Sequence, residues 1–488
     1  MGFLFARSLL IAFILAWLPA VAWSDITLPK IFSDHMVMQQ NSNLRIWGTA
    51  DPKEKLTISF GKQEKNAQAD ANGRWSTTIQ TGNAGGPYEL LIASESSDTR
   101  VLVSDVMVGE VWVCSGQSNM AWPNKKALNP EVELEDAKNY PNIRLFTVSN
   151  SAISKPQSEF AKVEPWVCCS PESIQGFSAT AYQFAKQLSK EMDVPIGLIN
   201  TSWGGTRCEA WTPESALRAD ERYAPLLEFW ADKNQPTSQH RPGNLYNAMI
   251  APLKGYGFQG VIWYQGEANV GRGAQYEHLF PTMIKSWRKD FNQGDFPFYF
   301  VQLAPFRYSK QAPQALPEVW QAQLKTLKNL DNVGMAVTTD IGNVSDIHPK
   351  NKQVVGQRLA LWALGGVYKD SISTSPQPMS GPIFKDFSIE GNKIRLTFDH
   401  LADGLKIRSP DKELTHFLIS GDDQKFVPAS AQIDGDTVIV SSPEVAKPVA
   451  VRFSWEDTAE PNLINSSGLP ASPFRTDEFD LLSKGVDH

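Results

Sequence analysis

The alternation of hydrophobic and polar positions changes twice along the chain. From residue 25 to about residue 104, apolar and polar residues alternate in short runs that are separated by turn-forming sequences such as Asn72-Gly73 and Gly85-Gly86-Pro87. A period of two indicates strands with one buried face. We therefore predict a small antiparallel β-sandwich domain over residues 25–104.

Over residues 105–375 continuous apolar runs alternate with segments of helical period. The strand-like runs are 106–114, 195–203, 260–265, 296–304 and 333–340. Hydrophobic residues recur at helical spacing at Phe177, Ala181, Phe184 and Leu188. This alternation predicts an α/β domain in which helices cover both faces of a parallel sheet. Residues 376–488 return to strand-only patterns, which predicts a C-terminal β-rich domain.

The N-terminus has the pattern of a secretory signal. Arg7 precedes the uncharged run 8–22, in which Pro19 is followed by the small residues Ala20-Val21-Ala22. The run is shorter than the roughly 20 apolar residues that span a bilayer. We therefore predict that residues 1–24 are a signal peptide. The mature protein would be periplasmic or extracellular, with no membrane anchor left after cleavage.

Composition narrows the choice of partners and cofactors. Hydrophobic residues make up 42% of the chain and charged residues 20%, which excludes a disordered chain. The 46 Lys and Arg residues against 53 Asp and Glu residues give a net charge of −7, so we expect no nucleic-acid partner. Four cysteines allow three complete disulfide pairings, among which the sequence does not choose. No C-x-x-C or H-E-x-x-H spacing occurs, so we expect no metal and no cofactor.

Polar residues follow the predicted strands of the α/β domain, where the sites of parallel sheets form. In chain order these residues are Ser118 and Asn119, Gly204 and Gly205, Gln265 and Glu267, and finally Asp340, Asp346 and His348. They include a nucleophile, amide donors, carboxylates and a histidine. This set predicts acyl transfer by an activated serine.

Each of these residues also has an ordinary structural explanation. Ser118 could cap a helix, the Gly204-Gly205 pair could form a turn, and Glu267 could interact with a helix dipole. A lone histidine such as His348 is more often structural than catalytic. Of the seven histidines, however, only His348 follows a predicted strand and has an aspartate two residues before it. The occurrence of all four clusters at strand ends favours a catalytic site.

Four motifs resemble the sialate O-acetylesterase family of the SGNH/GDSL hydrolase superfamily. These motifs are GQSNM (116–120), NTSWGGT (200–206), IWYQGEAN (262–269) and DIHP (346–349). Similar segments extend over nearly the whole mature chain. The resemblance implies an SGNH-type, flavodoxin-like parallel sheet with helices on both faces, flanked by N-terminal and C-terminal β-rich domains.

The resemblance also implies roles for individual residues. Ser118 would be the nucleophile, His348 its general base, and Asp346 the residue that orients His348. The oxyanion hole would consist of the backbone N–H of Ser118, that of Gly204 or Gly205, and the side chain of Gln265.

One spacing departs from the wider superfamily. The aspartate commonly stands three residues before the histidine, where this chain has Ser345. Glu267 and Asp340 therefore remain alternative carboxylates. Glu267, Asp340 and Asn119 are also candidates for binding substrate.

These observations favour an exported carbohydrate O-acetylesterase that acts on sialic acid or related acetylated glycans through an acetyl-enzyme. The negative net charge argues against a strongly anionic polymer as the substrate, so an acetylxylan or hemicellulose acetylesterase is an alternative. A serine peptidase would use the same triad. A non-catalytic glycan-binding protein with a hydrolase-like core is an alternative of another class. The sequence leaves the oligomeric state open.

Overall fold

A computed structural model describes residues 25–372 and 378–488 of the protein. The predicted signal peptide, residues 1–24, lies outside the described residues. Within the described ranges, no helix has both the length and the apolar character needed to cross a membrane.

The N-terminal region is built from strands whose apolar residues alternate with polar ones. The strands are β1 (Val37–Gln39), β2 (Asn43–Thr49), β3 (Lys55–Phe60), β4 (Gln63–Gln68), β5 (Arg74–Gln80), β6 (Gly85–Ser94) and β7 (Arg100–Gly116). β2 pairs antiparallel with β5, and β3 pairs antiparallel with β4 and β6. In β3 the alternate residues Leu56, Ile58 and Phe60 are buried. The prediction of a β-rich N-terminal region is confirmed.

The central sheet extends to both sides of β7. Its further strands are β8 (Ile143–Val148), β9 (Val163–Cys168), β10 (Ile196–Ser202), β11 (Gly260–Tyr264), β12 (Phe298–Val301) and β13 (Val333–Ala336). The strand order is β13-β12-β11-β7-β10-β8-β9. The first half of β7 pairs with β6 and the second half pairs with β10 and β11. One strand therefore joins the N-terminal region to the central sheet, and the predicted boundary at residue 105 falls inside it.

The sheet is mixed, whereas the sequence predicted a parallel one. Neighbouring strands from β13 to β8 are parallel, but β9 pairs antiparallel with β8 at the edge. No helix forms between β8 and β9. A parallel return needs a crossover connection, usually a helix, so the chain comes back antiparallel. Trp166 is the one fully buried residue of β9, as expected for an edge strand rather than for a buried one.

Helices cover both faces of the central sheet. They are α1 (Ser118–Ala121), α2 (Pro130–Asp136), α3 (Pro171–Ile174), α4 (Ala179–Glu191), α5 (Glu214–Arg218), α6 (Ala224–Ala231), α7 (Gly273–Phe291), α8 (Ala315–Asn329) and α9 (Lys352–Gly366). Trp112 of β7 packs on Phe184 of α4, with ring centroids 5.0 Å apart. Trp263 of β11 packs on Trp287 of α7 at 5.8 Å. The register aligns Trp263 with Ser115, three residues beyond Trp112, so the two tryptophans point to opposite faces.

The C-terminal region is again all strand. Its strands are β14 (Ile383–Glu390), β15 (Lys393–Asp399), β16 (Leu405–Ile407), β17 (Phe417–Ser420), β18 (Val427–Pro428), β19 (Ser430–Asp434), β20 (Thr437–Ser441), β21 (Ala450–Phe453), β22 (Leu463–Asn465) and β23 (Phe474–Arg475). They form antiparallel sheets of order β14-β15-β20-β19, β18-β17-β21-β23 and β16-β22. Phe384 and Phe474 stack between two of these sheets at 4.4 Å. The prediction of a C-terminal β-rich region is confirmed.

Candidate active site

Ser118 begins α1 directly beyond the carboxyl end of β7. The connection requires glycine at position 116, where φ is +134° and a Cβ atom would lie 2.2 Å from the carbonyl oxygen of Tyr264. The chain can therefore turn sharply while the backbones of β7 and β11 stay in contact. Because β7 lies between β10 and β11, this turn places Ser118 where the residues following all three strands meet.

The structure brings Ser118 and His348 together. The Nε2 atom of His348 lies 2.9 Å from Oγ of Ser118. His348 belongs to the loop between β13 and α9, and its imidazole stacks on Trp122 with ring centroids 4.6 Å apart and an interplanar angle of 20°. The stacked indole restricts rotation of the imidazole. This geometry suits transfer of the hydroxyl proton to the histidine.

Asp346 lies beside His348 but folds back onto its own turn. Its Oδ1 atom accepts the backbone N–H of His348 at 3.0 Å, and the same oxygen is 3.9 Å from Nδ1 of His348. The second distance is longer than a hydrogen bond. In this arrangement Asp346 orders the loop and places a negative charge near the imidazole, without a direct bond to Nδ1.

The surroundings of His348 favour its neutral form. Partial burial lowers the pKa of His348 below its ordinary value of 6.5, and the cations Lys352 and Lys126 lower it further. The negative charge of Asp346 acts in the opposite direction. A neutral imidazole is the form that accepts a proton from a serine.

Gly204 packs closely against Ser118. A Cβ atom at position 204 would lie 3.3 Å from Cβ of Ser118. Gly205 has φ of +72°, and a Cβ atom there would meet no atom within 4 Å, so this residue borders open space. The loop after β10 therefore brings its backbone to the serine.

The structure does not place Gln265 as the sequence predicted. Its side chain is fully buried, and Nε2 donates to the carbonyl oxygen of Thr206 at 3.1 Å and to Oδ1 of Asn269 at 2.7 Å. Both amide hydrogens are thus used, and the oxygen accepts from Tyr276. The amide points beneath the loop after β10 and supports Thr206, so in this arrangement it has no N–H to offer an oxyanion.

The two alternative carboxylates have other partners. Asp340 accepts hydrogen bonds from both terminal nitrogens of Arg358, at 2.5 and 2.7 Å. Glu267 accepts a short hydrogen bond from Asn119, and burial raises its pKa. Asp340 therefore connects the loop after β13 to α9, and Glu267 is hydrogen-bonded to Asn119, the neighbour of Ser118.

Comparison with known proteins agrees with this geometry. The family profile described as "Carbohydrate esterase, sialic acid-specific acetylesterase" matches residues 108–364, which include Ser118, Gly204 and His348. The chain belongs to this family. It is accordingly an ester hydrolase, and the predicted family is confirmed.

Relatives of this esterase match over nearly their whole length. Human sialate O-acetylesterase is 28% identical over 507 residues, which cover 94% of this chain and 95% of the human protein. The mouse sialate O-acetylesterase is also 28% identical, with 90% and 92% covered. The crystal structure of a carbohydrate acetylesterase from Xanthomonas citri superposes with a TM-score of 0.85 at 38% identity, covering 93% of this chain and 100% of that one.

Several buried polar residues around the site of the esterase were not predicted from the sequence. Glu209 has no exposed surface and accepts hydrogen bonds from Arg272 at 2.8 Å and Asn269 at 3.0 Å. Asn269 in turn accepts the amide of Gln265. Lys352, the first residue of α9, is also fully buried. Asn269 stands within the IWYQGEAN motif, whereas nothing local to Lys352 or Arg272 distinguishes them from exposed basic residues.

Potential metal ligands group at one place in the described part of the esterase, away from the residues that follow the central strands. His35, Asp105 and Cys168 lie close together, with His35 Nδ1 2.7 Å from Oδ2 of Asp105. The guanidinium of Arg144 also hydrogen-bonds Asp105 and lies 2.9 Å from Sγ of Cys168. This cation already compensates the carboxylate, so the group is better suited to an ion pair than to a metal.

The esterase contains its four cysteines as free thiols. Cys114 and Cys208 are fully buried, and burial raises the pKa of both thiols. Cys168 is partly exposed and Cys169 is buried. Cys114 and Cys208 therefore act as small packing residues.

Proposed function

We propose that the protein is a carbohydrate O-acetylesterase in which Ser118 is the nucleophile and His348 the general base. The observation that carries this proposal is the 2.9 Å separation of Ser118 Oγ and His348 Nε2 at the carboxyl end of the central sheet. A serine alone is a weak nucleophile, and an adjacent base activates it. Membership of the carbohydrate esterase family supports the choice of an ester over a peptide substrate.

The reaction would proceed through an acetyl-enzyme. Ser118 Oγ attacks the acetyl carbonyl carbon while His348 Nε2 takes the hydroxyl proton. The tetrahedral intermediate collapses, and His348 gives that proton to the departing sugar oxygen. Water then attacks the acetyl-enzyme with His348 again as the base, and collapse of the second intermediate returns a proton to Ser118 and releases acetate.

For the oxyanion hole we propose backbone donors. The N–H of Ser118 and that of Gly204 or Gly205 are the candidates, because the loop after β10 lies against the nucleophile. An oxyanion donor is typically worth about 3–4 kcal/mol of transition-state stabilisation. Gln265 would contribute indirectly, since its amide supports the carbonyl of Thr206 at the end of the same loop.

Asp346 would act on His348 through its charge. It lies 3.9 Å from Nδ1, where a negative charge stabilises the imidazolium that forms during each step. A modest side-chain rotation during catalysis would convert this contact into the usual hydrogen bond. Asp346 is therefore the third member of the proposed Ser118–His348–Asp346 triad.

Two further expectations from the sequence belong to the proposal. The six parallel strands stand in the order β8-β10-β7-β11-β12-β13, which is 2-3-1-4-5-6 when numbered along the chain. Without β8, which lies beyond β10, the other five have the order 2-1-3-4-5 of flavodoxin-like sheets. This order supports an SGNH-type catalytic domain. The residue pattern of positions 1–24 supports export to the periplasm or the exterior.

Acetate release from a panel of substrates tests the proposal. The panel would include O-acetylated sialic acid, acetylated xylan and other acetylated hemicelluloses, with 4-nitrophenyl acetate as a general ester. We expect release from at least one acetylated glycan by the natural protein and none above background by Ser118→Ala. Binding of a glycan without release of acetate from any substrate would instead favour a glycan-binding protein.

A further inference from the structure

A buried hydrogen-bonded cluster lies directly beneath the two catalytic residues. The Oδ1 atom of Asn119, the neighbour of Ser118, accepts a hydrogen bond from Nζ of Lys352 at 2.5 Å. Its Nδ2 atom donates to Glu267 and, at 3.0 Å, to the carbonyl oxygen of Ile347, the neighbour of His348. The side-chain amide of Asn119 therefore links the residue that follows the nucleophile to the residue that precedes the base.

The charges on either side of Asn119 fix the direction of its amide. The ammonium group of Lys352 donates to the amide oxygen, and the carboxylate of Glu267 accepts from the amide nitrogen. A flipped amide would set its N–H groups against the ammonium and its oxygen against the carboxylate. The same flip would break the bond to Ile347. The two charges thus hold the one orientation that reaches the loop of His348.

Complete burial of the Lys352 ammonium group is costly unless its charge is paired and hydrogen-bonded. Its charge has partial compensation from Glu267 and from the ring of Tyr264, whose centroid is 5.2 Å from Nζ. Lys186 of α4 shows the ordinary alternative, because that buried lysine is paired with the carboxylates of Glu133 and Asp136. Lys352 instead donates to a neutral amide beside the nucleophile.

We propose that Lys352, Asn119 and Glu267 are positioning residues that hold the nucleophile loop and the histidine loop at the separation needed for proton transfer. The proposal rests on the proposed Ser118–His348 mechanism. Loss of the cluster would allow the loops to separate, and a displacement of about 1 Å can cost about a hundredfold in rate. The effect is therefore on kcat rather than on binding of the sugar.

Lys352 also has an electrostatic effect that a purely structural residue would lack. The groups that face it are Glu267, Asp346, Trp122, Tyr264 and the imidazole of His348. Burial lowers the pKa of Lys352 to about 7, so Lys352 is positively charged across the acidic limb, where its charge lowers the pKa of His348. Removal of that charge should raise the pKa of the base and move the acidic limb of the kcat/KM profile to higher pH.

The test compares Lys352→Met with Lys186→Met, a matched substitution of a buried lysine that is paired with Glu133 and Asp136 rather than with Asn119. We expect Lys352→Met to lower kcat about tenfold or more with KM nearly unchanged, and to move the acidic limb up by about half a pH unit. Lys186→Met should lower the melting temperature but leave kcat and the limb in place. Natural kcat together with an unmoved limb in folded Lys352→Met would overturn the proposal.

Asn119→Ala gives a second, independent test if Lys352→Met does not fold. It removes the amide but leaves the charge of Lys352, so kcat should fall about tenfold or more while the acidic limb stays near its natural position. Natural kcat in folded Asn119→Ala would overturn the proposal. Ser118→Ala separates this result from failure of the mechanism itself: an active Ser118→Ala enzyme refutes the proposed function, whereas an inactive one beside fully active Lys352→Met and Asn119→Ala refutes only the cluster.

Discussion

His348 Nε2 and Ser118 Oγ lie 2.9 Å apart although 230 residues separate them in the chain. Two features of the fold account for this proximity. β7 lies at the centre of the sheet, and Ser118 follows its carboxyl end. The loop between β13 and α9 places His348 next to that end of β7. α9 packs on α4, so the two helices together cover one face of the sheet. The pair is therefore a property of the sheet topology rather than of a local motif.

Replacement of the nucleophile should abolish ester hydrolysis. We expect Ser118→Ala to lower kcat by about 10³-fold or more with the fold intact, because only the binding and oxyanion contributions remain. Ser115→Ala is a matched control, since the Ser115 side chain is fully buried and its hydroxyl donates to the carbonyl of Thr201. That control should cost about 1 kcal/mol of stability and leave kcat near the natural value. The measurement is turnover of 4-nitrophenyl acetate by proteins with matching circular dichroism spectra.

The pH dependence of the esterase should report the lowered pKa of His348. Only neutral imidazole can act as the base, so kcat/KM should fall as the pH decreases through the pKa of the free enzyme. Burial and the nearby lysines lower that pKa, so the acidic limb should lie below 6.5. A pH–rate profile measures the limb. A midpoint clearly above 6.5 would contradict this electrostatic account, as would an unchanged limb in an active His348→Ala enzyme.

Asp346 and Asp340 should differ in what their substitution affects. Asp346→Asn removes the charge near Nδ1 but can still accept the backbone N–H of His348, so we expect kcat to fall about tenfold to a hundredfold with little loss of stability. Asp340→Asn weakens the bidentate pair with Arg358, so we expect a lower melting temperature and a nearly natural kcat. Kinetics and thermal melts of both variants decide this. The reverse pattern would make Asp340 the functional carboxylate.

The buried pair of Arg272 and Glu209 should contribute strongly to stability. Arg272→Met leaves the buried carboxylate of Glu209 with only the more distant cation Arg207, at 3.9 Å, and loss of a buried ion-pair partner typically costs about 3–5 kcal/mol. Arg218→Met, which breaks an exposed pair with Glu214, should cost less than about 1 kcal/mol. Urea unfolding measures both changes. Equal effects of the two substitutions would contradict the assigned difference between buried and exposed pairs.

The pair of Arg272 and Glu209 also predicts the direction in which the stability of the protein changes with pH. Arg272 lowers the pKa of Glu209 in the folded protein, so the stability that this group contributes is present above the ordinary value of 4.5 and is lost as the pH falls through the folded-state pKa. The difference between the natural protein and Arg272→Met should therefore be largest near neutral pH and shrink below about pH 4.5. A difference that grows on acidification would exclude this assignment.

Chelation should leave activity unchanged. In residues 25–372 and 378–488, His35, Asp105 and Cys168 are the potential metal ligands that cluster, and the guanidinium of Arg144 already bonds the carboxylate among them. The proposed mechanism uses only protein side chains and backbone donors. Prolonged EDTA treatment followed by an assay with acetylated sugar measures this. Loss of activity that added zinc restores would argue for a metal-dependent reaction.

Local sequence patterns were enough to predict the class of fold and the two central catalytic candidates. Periods of two and 3.6 report which face of an element is buried, and this local property sufficed for the β-rich regions and the α/β core. GQSNM and DIHP mark Ser118 and His348 because a nucleophile and a base need particular residue types at strand ends. The antiparallel pairing of β9 with β8 was not predicted from the sequence. The direction of β9 depends on the connection between the two strands and not on the composition of β9 itself.

The directions of the remaining polar side chains could not be predicted from the sequence and are set by the folded chain. Gln265 follows β11 as expected, but its amide turns inward to Thr206 and Asn269. Lys352 resembles any exposed lysine in sequence, yet it is fully buried against Asn119. Asp346 stands beside His348 in the chain, and its rotamer sets the 3.9 Å distance to Nδ1. Side-chain direction and burial arise from packing between segments far apart in sequence, and local sequence patterns do not predict those contacts.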